Sequence, residues 1–164
     1  MQEEVKRKMI ENITGNVLDY VGKNSIVCHQ TNCRGVMGSG LAKQIRAKYQ
    51  SVYLKYWSLC NMSKPTDLLG TVQIVETNDG IRIANCFGQD GYGRYKIYTS
   101  YEALESCFKY IKHYAEKSEN NVNVIAFPYG IGCGLAGGDW NIVSAMIEKV
   151  FADWHGTVKI VRFN

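Results

Sequence analysis

Two glycine-rich segments are the parts of this sequence best suited to bind a ligand. The first spans residues 28–42, and the second spans residues 127–140. Glycine lets the backbone turn tightly and approach a ligand, and a helix that follows presents free N–H groups at its positive end. Two such segments at one edge of a sheet predict a site for a diphosphate. For the second segment, a long surface turn is the alternative.

Neither segment carries a standard nucleotide-binding signature. The first lacks Gly-x-Gly-x-x-Gly, and neither contains the Gly-Lys-Ser/Thr of a P-loop. The sequence therefore disfavours kinase and dehydrogenase chemistry. The glycines at 130, 132, 134, 137 and 138 carry a heavy conformational-entropy cost, which favours a backbone anion nest over a long surface turn.

His29 and Asp139 are the candidate catalytic residues. A histidine near its ordinary pKa can protonate a leaving oxygen or help to activate water. The alternative for His29 is a core histidine at the end of a strand. Asp139 is a candidate general base, and it equally suits the N-cap of the helix expected after it.

Composition bounds the class of protein. The chain has 164 residues, of which 46% are hydrophobic and 21% charged, as expected for a single globular domain over residues 1–164. Its net charge is +4, and apart from a short cluster at residues 6–8 the basic residues are scattered. A weakly positive field favours a polyanionic small ligand, and no nucleic-acid stripe is present.

The six cysteines indicate a reducing, cytoplasmic setting. There is no CxxC pair and no signal peptide, and Cys86 and Cys107 fall in apolar patterns typical of buried thiols. Cys28, His29 and Cys33 lack a second ligand cluster with zinc spacing, so we expect no metal. No apolar run reaches the roughly 18 residues of a membrane helix.

The alternation of strand and helix patterns predicts an α/β fold. We expect strands at 8–14, 25–29, 70–76, 81–87, 122–127 and 157–163, and helices at 40–49, 51–61, 99–117 and 139–154. Asp79-Gly80 predicts a turn that pairs the third and fourth strands antiparallel. Thr99 and Glu102 have capping-box spacing. These elements predict a mixed sheet with helices on both faces and a ligand at the carboxyl ends of its strands.

Taken together, several segments resemble the macrodomain family, which binds ADP-ribose. Within that family the chain is most similar to small single-domain ADP-ribose-1''-phosphate phosphatases, also described as Appr-1''-p processing proteins. The similar segments are residues 13–18, 28–42, 85–89, 99–104 and 127–140. The resemblance implies a three-layer α/β/α fold with a roughly six-stranded mixed sheet, and a hydrolase that removes the 1''-phosphate.

The resemblance also assigns contacts with ADP-ribose. Asn16 stands where many macrodomains place an aspartate that accepts from the adenine amino group; the alternative is a turn residue after Gly15. Asn32 corresponds to the asparagine that faces the distal ribose, and residues 130–135 to the loop around the diphosphate. The expected contacts are Gly15, Asn16, Val17, Asn32, Gly35, Gly38, Ser39, Gly40, Leu41, Phe87, Gln89, Pro128, Tyr129, Gly130, Ile131, Gly132, Cys133, Gly134 and Leu135.

Two departures from the family pattern bear on the mechanism. Relatives that release ADP-ribose from glutamate through a lysine adduct carry a lysine after the fourth strand and an aspartate after the Gly-Cys-Gly-Leu stretch. Here Gln89 ends the corresponding strand segment, and Ala136 follows Leu135. The pattern therefore favours direct attack by water. Residues 90–98 are expected to fold over the distal ribose or a terminal phosphate, with Arg94 or Lys96 as anion contacts.

Two further functions remain open from the sequence. One is a hydrolase of ADP-ribose linked to protein or nucleic acid, and the other is a non-catalytic reader of ADP-ribose. The expected partners are small ADP-ribose derivatives, or ADP-ribosylated macromolecules under these alternatives. We expect no cofactor, no membrane partner and no obligate protein partner.

Overall fold

The computed structural model describes residues 10–164. The elements are β1 (Ile10–Thr14), β2 (Ser25–Thr31), α1 (Gly40–Lys48), α2 (Gln50–Met62), α3 (Pro65–Leu68), β3 (Val72–Glu76), β4 (Arg82–Phe87), α4 (Tyr101–Glu116), β5 (Val124–Pro128), α5 (Trp140–Phe151) and β6 (Thr157–Arg162). Short 3-10 turns occur at Val17–Asp19 and Ser118–Asn120. The start of the first expected strand and the basic cluster at residues 6–8 lie outside the described residues.

The strands form one mixed sheet in the order β1-β6-β5-β2-β4-β3. Every neighbouring pair is parallel except β3 and β4, which are antiparallel as the turn at residues 77–80 predicts. That turn closes with Thr77 N donating to Ile81 O at 2.9 Å, and Gly80 takes a φ of +81°, which favours glycine. The predicted α/β class and the six-stranded sheet are confirmed.

Helices cover both faces of the sheet, which confirms the three-layer architecture. On one face, Ile26, Cys28, Ala84, Phe127 and other strand residues pack against apolar positions of α4 and α5. On the other face, Val27 and Ile83 pack against α1 and α2. Because successive strand residues point to opposite faces, β2 contributes to both cores.

The start of α4 differs from the sequence prediction. Ser100, and not Thr99, is the N-cap, and its hydroxyl accepts from Ala103 N at 3.2 Å. Two adjacent hydroxyl residues offered the same local signal, and tertiary structure decided between them. The short helix α3 was not predicted; it begins at Pro65, whose fixed φ suits a first helical position.

The six cysteines are free, and Cys86 and Cys107 are fully buried as predicted. The pKa of the Cys107 thiol is raised by its hydrogen bond with Cys86 and by burial. Within residues 10–164, no helix is long and apolar enough to cross a membrane.

Candidate functional site

A cleft of about 650 Å³ opens where the carboxyl ends of β2 and β5 meet. From β2 the chain continues into α1 on one face, whereas from β5 it continues into α5 on the other. This is the kind of crevice in which open α/β sheets bind ligands, and its volume lies within the roughly 300–1,000 Å³ typical of small-molecule sites. Its walls are the β2–α1 loop (residues 32–39), the β5–α5 loop (residues 129–139) and the β4–α4 segment (residues 88–100).

Most of the residues that the sequence singled out come together in this cleft. His29 lines it together with Asn32, Gly38, Ser39, Gly40, Leu41, Gln89, Pro128, Tyr129, Gly130, Ile131, Gly132, Gly134 and Leu135. The lining also includes residues that the sequence analysis did not name as ligand contacts, namely Gln30, Thr31, Val36, Ala42 and Ala136. Tyr92, Gly93 and Arg94 line the cleft as well, and they belong to the segment that was expected to fold over the ligand.

Asn16 is not part of the cleft lining. Its Oδ1 accepts from Leu18 N at 3.0 Å, which starts the 3-10 turn, and its Nδ2 donates to Gln44 Oε1 at 2.9 Å. These bonds are those of the turn residue that was the alternative, and the adenine contact of Asn16 stays a prediction.

Five other expected contacts also lie outside the cleft lining: Gly15, Val17, Gly35, Phe87 and Cys133. Gly15 and Gly35 adopt φ values of +151° and +81°, so these glycines are required by local turns. Phe87 is fully buried and stacks on Tyr56 with ring centroids 5.9 Å apart. Apolar burial accounts for Phe87, and Val17 is likewise a core residue.

The β5–α5 loop contains backbone N–H groups of two kinds, those that fold the loop and those that are unpaired. Ile131 N, Cys133 N and Gly138 N fold the loop by donating to Pro128 O, Gly130 O and Gly132 O at 2.8–3.0 Å. In contrast, several N–H groups of cleft-lining residues donate to no protein acceptor in the described part of the chain; they belong to Gly130, Gly132, Gly134, Leu135 and Ala136. Such a row of unpaired donors is an anion-binding nest.

Two glycines of the cleft lining are required neither by packing nor by their backbone conformation. A Cβ built on Gly134 would meet no atom within 4 Å, and one on Gly38 would come no closer than 3.7 Å to Val36. Neither residue has a φ in the left-handed range. Packing and backbone strain therefore do not explain these two glycines, both of which line the cleft.

A partly buried polar network holds the β5–α5 loop in place. Gln30 Nε2 donates to Gln89 Oε1 and to Thr99 Oγ1, both at 2.9 Å, and Thr99 Oγ1 donates to Gly132 O at 2.6 Å. A Cβ on Gly88 would lie 2.3 Å from Gln30 Oε1, which explains the glycine there. Sequence reasoning missed Gln30; a polar residue within a buried strand next to a glycine segment was the available signal.

Asn32 shapes the β2–α1 loop from the end of its strand. Its Oδ1 accepts from Arg34 N at 2.9 Å and from Tyr56 Oη at 2.8 Å, and its Nδ2 donates to Val36 O at 2.8 Å. These bonds turn the loop so that Gly38 and the N-terminus of α1 face the cleft. The residue before α1, Ser39, makes no side-chain cap, so the first N–H groups of this helix are left for a ligand.

His29 is buried at the floor of the cleft, 2% exposed. Burial lowers its pKa to about 4, against the smaller opposing effect of a hydrogen bond between Nε2 and Asn85 Oδ1 at 2.6 Å. The imidazole is therefore neutral near pH 7. A neutral imidazole favours the role of acceptor for a proton or a hydrogen bond, and both expected roles of His29 stay predictions.

Asp139 lies away from the cleft lining. Its carboxylate accepts from Asn141 N at 2.9 Å and caps α5, and its backbone N–H bonds to Tyr101 Oη at 3.0 Å. The capping alternative accounts for this residue, and its catalytic role stays a prediction.

Arg94 supplies the positive charge at the cleft. Within residues 10–164 the lining contains no carboxylate, and Arg94 is its single side chain with a formal charge at pH 7. The β4–α4 segment that carries it is tied down by the Arg34–Asp90 ion pair at 2.8 Å and by Tyr98 N donating to Ala136 O at 2.8 Å. Lys96 instead lines a neighbouring pocket.

A metal centre has no ligand set in the described part of the chain, where no three His, Cys, Asp or Glu side chains come together. Cys28 packs in the core on the α4 and α5 side, whereas His29 bonds to Asn85 and Cys33 Sγ bonds to Gln89 O at 3.3 Å.

The fold and the cleft define an α/β/α domain with a cleft lined in part by residues whose backbone N–H groups are unpaired. A family model for the Macro domain matches residues 28–147, so the chain belongs to the macro domain family. Two curated relatives are named ADP-ribose 1''-phosphate phosphatase. The one from Meyerozyma guilliermondii is 27% identical, over 77% of this chain and 84% of its own length. The one from Saccharomyces cerevisiae is 23% identical, over 89% of this chain and 95% of its own length.

Solved structures share the fold. A protein of unknown function from Bacteroides thetaiotaomicron has a TM-score of 0.82 at 24% identity, covering 93% of this chain and 97% of its own. The macrodomain of Thermus aquaticus DarG has a TM-score of 0.75 at 23% identity, covering 94% of this chain and 97% of its own. Thermosipho africanus DarTG, in complex with ADP-ribose, has a TM-score of 0.70 at 19% identity and covers 84% of this chain and 37% of its own.

Proposed function

We propose that this protein binds ADP-ribose derivatives in the cleft between the β2–α1 and β5–α5 loops. The observation that carries the proposal is the β5–α5 loop, where cleft-lining residues have unpaired N–H groups and Gly134 leaves open space. A diphosphate fits such a nest because it accepts many hydrogen bonds and carries negative charge. The ADP-ribose complex of the structurally similar Thermosipho africanus protein supports the choice of ligand.

We further propose that the reaction is hydrolysis of ADP-ribose 1''-phosphate to ADP-ribose and phosphate. The names of the two yeast relatives support this substrate. Water attacks phosphorus, the bond between phosphorus and the ribose 1'' oxygen breaks, and that oxygen is released with a proton from the aqueous pool. In this scheme the N–H groups and Arg94 stabilise charge on the phosphates, and neutral His29 accepts a hydrogen bond from a hydroxyl or water.

The experiment is phosphate release from ADP-ribose 1''-phosphate by the wild-type protein and by a His29→Gln variant. We expect turnover in the wild type and a loss of about tenfold in the variant, the equivalent of one hydrogen bond. ADP-ribose binding, measured in parallel, should stay within a few-fold. Unchanged turnover in the variant would remove His29 from the mechanism.

A second candidate is release of ADP-ribose from a macromolecule. It is favoured by an open pocket of about 470 Å³ that adjoins the cleft through Gly134 and Leu135 and is lined by residues 94–97. Time courses on defined ester-linked, N-glycosidic and 1''-phosphate substrates separate the two candidates. Tight ADP-ribose binding without turnover of any of them would instead indicate a non-catalytic reader.

A cytoplasmic location is also part of the proposal. The six free cysteines support it, because unpaired thiols persist in reducing compartments.

A further inference from the structure

A row of polar side chains crosses the sheet beneath the cleft. His29 on β2 lies opposite Asn85 on β4, and Asn85 lies opposite Gln73 on β3. The row ends at the backbone carbonyl of Lys55 on α2, which accepts from Gln73 Nε2 at 3.2 Å. Of these residues, His29 lines the cleft, whereas Asn85 and Gln73 do not.

The hydrogen bonds in this row have one direction. A backbone carbonyl only accepts, so Gln73 must present Nε2 to Lys55 O and its oxygen to Asn85. Gln73 Oε1 then accepts from Asn85 Nδ2 at 3.0 Å, which leaves Asn85 Oδ1 facing His29 Nε2 at 2.6 Å. Because an amide oxygen cannot donate, His29 Nε2 must carry the proton.

The other imidazole nitrogen is left without a proton and without a partner. His29 Nδ1 is buried and bonds to no described residue. Two residues along the strand, Thr31 Oγ1 is also buried without a partner and also belongs to a cleft-lining residue. A buried polar atom without a partner is costly, so each of these atoms calls for a hydrogen bond from water or a ligand.

We propose that Gln73 and Asn85 are positioning residues that fix His29 in its Nε2–H tautomer, so that the bare Nδ1 accepts a hydrogen bond from an O–H group in the cleft. The carbonyl of Lys55 on α2 thus sets the direction of each hydrogen bond in the row, and through them the nitrogen of His29 that carries the proton. The donor is either a ribose hydroxyl or a water molecule. The tautomer itself does not depend on the ligand, whereas the use of Nδ1 rests on the proposed function.

The first test is the tautomer in the ligand-free protein. Long-range ¹H–¹⁵N correlation spectra at pH 7 distinguish a protonated from a bare imidazole nitrogen, and the chain has only three histidines to assign. We expect a protonated Nε2 and a bare Nδ1 for His29. A protonated Nδ1, or a doubly protonated ring, would overturn the proposal.

The second test replaces Gln73 so that the hydrogen bonds of the row run in the opposite direction. Gln73→Lys places a donor opposite Asn85, which should turn the amide and move the His29 proton from Nε2 to Nδ1. Gln73→Glu is the matched control, because its carboxylate still accepts from Asn85 and should keep Nε2–H. Gln73 is half-buried on the edge strand β3, so both charged side chains can reach solvent. A proton that stays on Nε2 in Gln73→Lys would show that Gln73 does not set the tautomer.

The third test links the tautomer to the reaction. Turnover of ADP-ribose 1''-phosphate should fall about tenfold in Gln73→Lys, the equivalent of one hydrogen bond, and stay within about twofold in Gln73→Glu. Equal turnover in the two variants, with the proton moved, would overturn the role of Nδ1. If wild-type protein has the expected tautomer but does not bind ADP-ribose, the proposed function fails and the positioning of His29 stands.

Discussion

At the scale of single residues, His29 illustrates how burial decides protonation. A sequence predicts only that a histidine is present at the end of a strand, and its ordinary pKa suggests both acid and base roles. In the folded protein, burial lowers the pKa to about 4, which leaves the neutral form at the cleft floor. Burial therefore favours the acceptor role of His29, for a reason that no motif encodes.

This depressed pKa has a consequence for stability. In the unfolded chain His29 titrates near its ordinary value of 6.5, so the unfolded state binds more protons between pH 6.5 and about 4. Stability from this residue is present above pH 6.5 and is lost as the pH falls toward 4. Between pH 7 and pH 4, we expect the free energy of unfolding of the wild type, measured with urea, to fall by about 3 kcal/mol more than that of a His29→Gln variant. The same pH dependence of the free energy of unfolding in both proteins would contradict a lowered pKa of His29.

Asn16 and Asp139 mark the limit of prediction from residue type. Both were expected at the site, and both cap the start of a helical turn. Short polar side chains suit N-caps and ligand contacts equally well, because both roles need an acceptor close to the backbone. Only the three-dimensional fold separates the two roles.

At the scale of elements, the strands and helices follow the sequence patterns closely. The four long helices and six strands were predicted because each has a clear apolar period, as α4 does with Leu104, Phe108 and Ile111. The Gln30–Thr99–Gly132 network could not be predicted, because it joins residues 69 and 33 positions apart in the chain. The N-cap of α4 was misassigned for the same reason, since the hydroxyl of Thr99 serves this network.

The neighbouring hydroxyl residues Thr99 and Ser100 should separate folding from binding. Ser100→Ala removes the cap of α4 and should lower the free energy of unfolding by about 1 kcal/mol without a change in ADP-ribose affinity. Thr99→Val removes the bonds to Gln30 and Gly132 and should weaken ADP-ribose binding about tenfold, because the β5–α5 loop loses its anchor. Denaturation and calorimetry on both variants check this. Equal affinities would show that the network does not position the loop.

At the scale of the whole molecule, a weak positive net charge and unpaired backbone N–H groups at one end of the sheet both favour an anionic ligand. The net charge of +4 gives a mild attraction for anions, and Arg94 adds a local charge at a cleft without carboxylates in the described part of the chain. This arrangement predicts binding that depends only partly on salt.

Replacing Arg94 tests how much of the binding depends on its charge. Arg94→Gln should weaken ADP-ribose binding about tenfold at low salt, and the difference from wild type should shrink as salt is added, because the lost interaction is between exposed charges. Lys96→Gln is the control, since Lys96 lines the neighbouring pocket and not the cleft. Calorimetry at several salt concentrations gives the comparison. Equal losses in the two variants would indicate a diffuse field and not a contact by Arg94.

The most direct test of the ADP-ribose cleft is calorimetry on a matched pair of glycine variants. Gly134 and Gly22 both lie in open space without a left-handed φ, but Gly134 lines the cleft and Gly22 does not. Wild-type protein and Gly22→Val should bind ADP-ribose at one site with similar affinity. Gly134→Val should bind at least about tenfold more weakly with unchanged stability, because its side chain fills the space meant for the diphosphate. No binding by the wild type, or equal binding by both variants, would contradict the account.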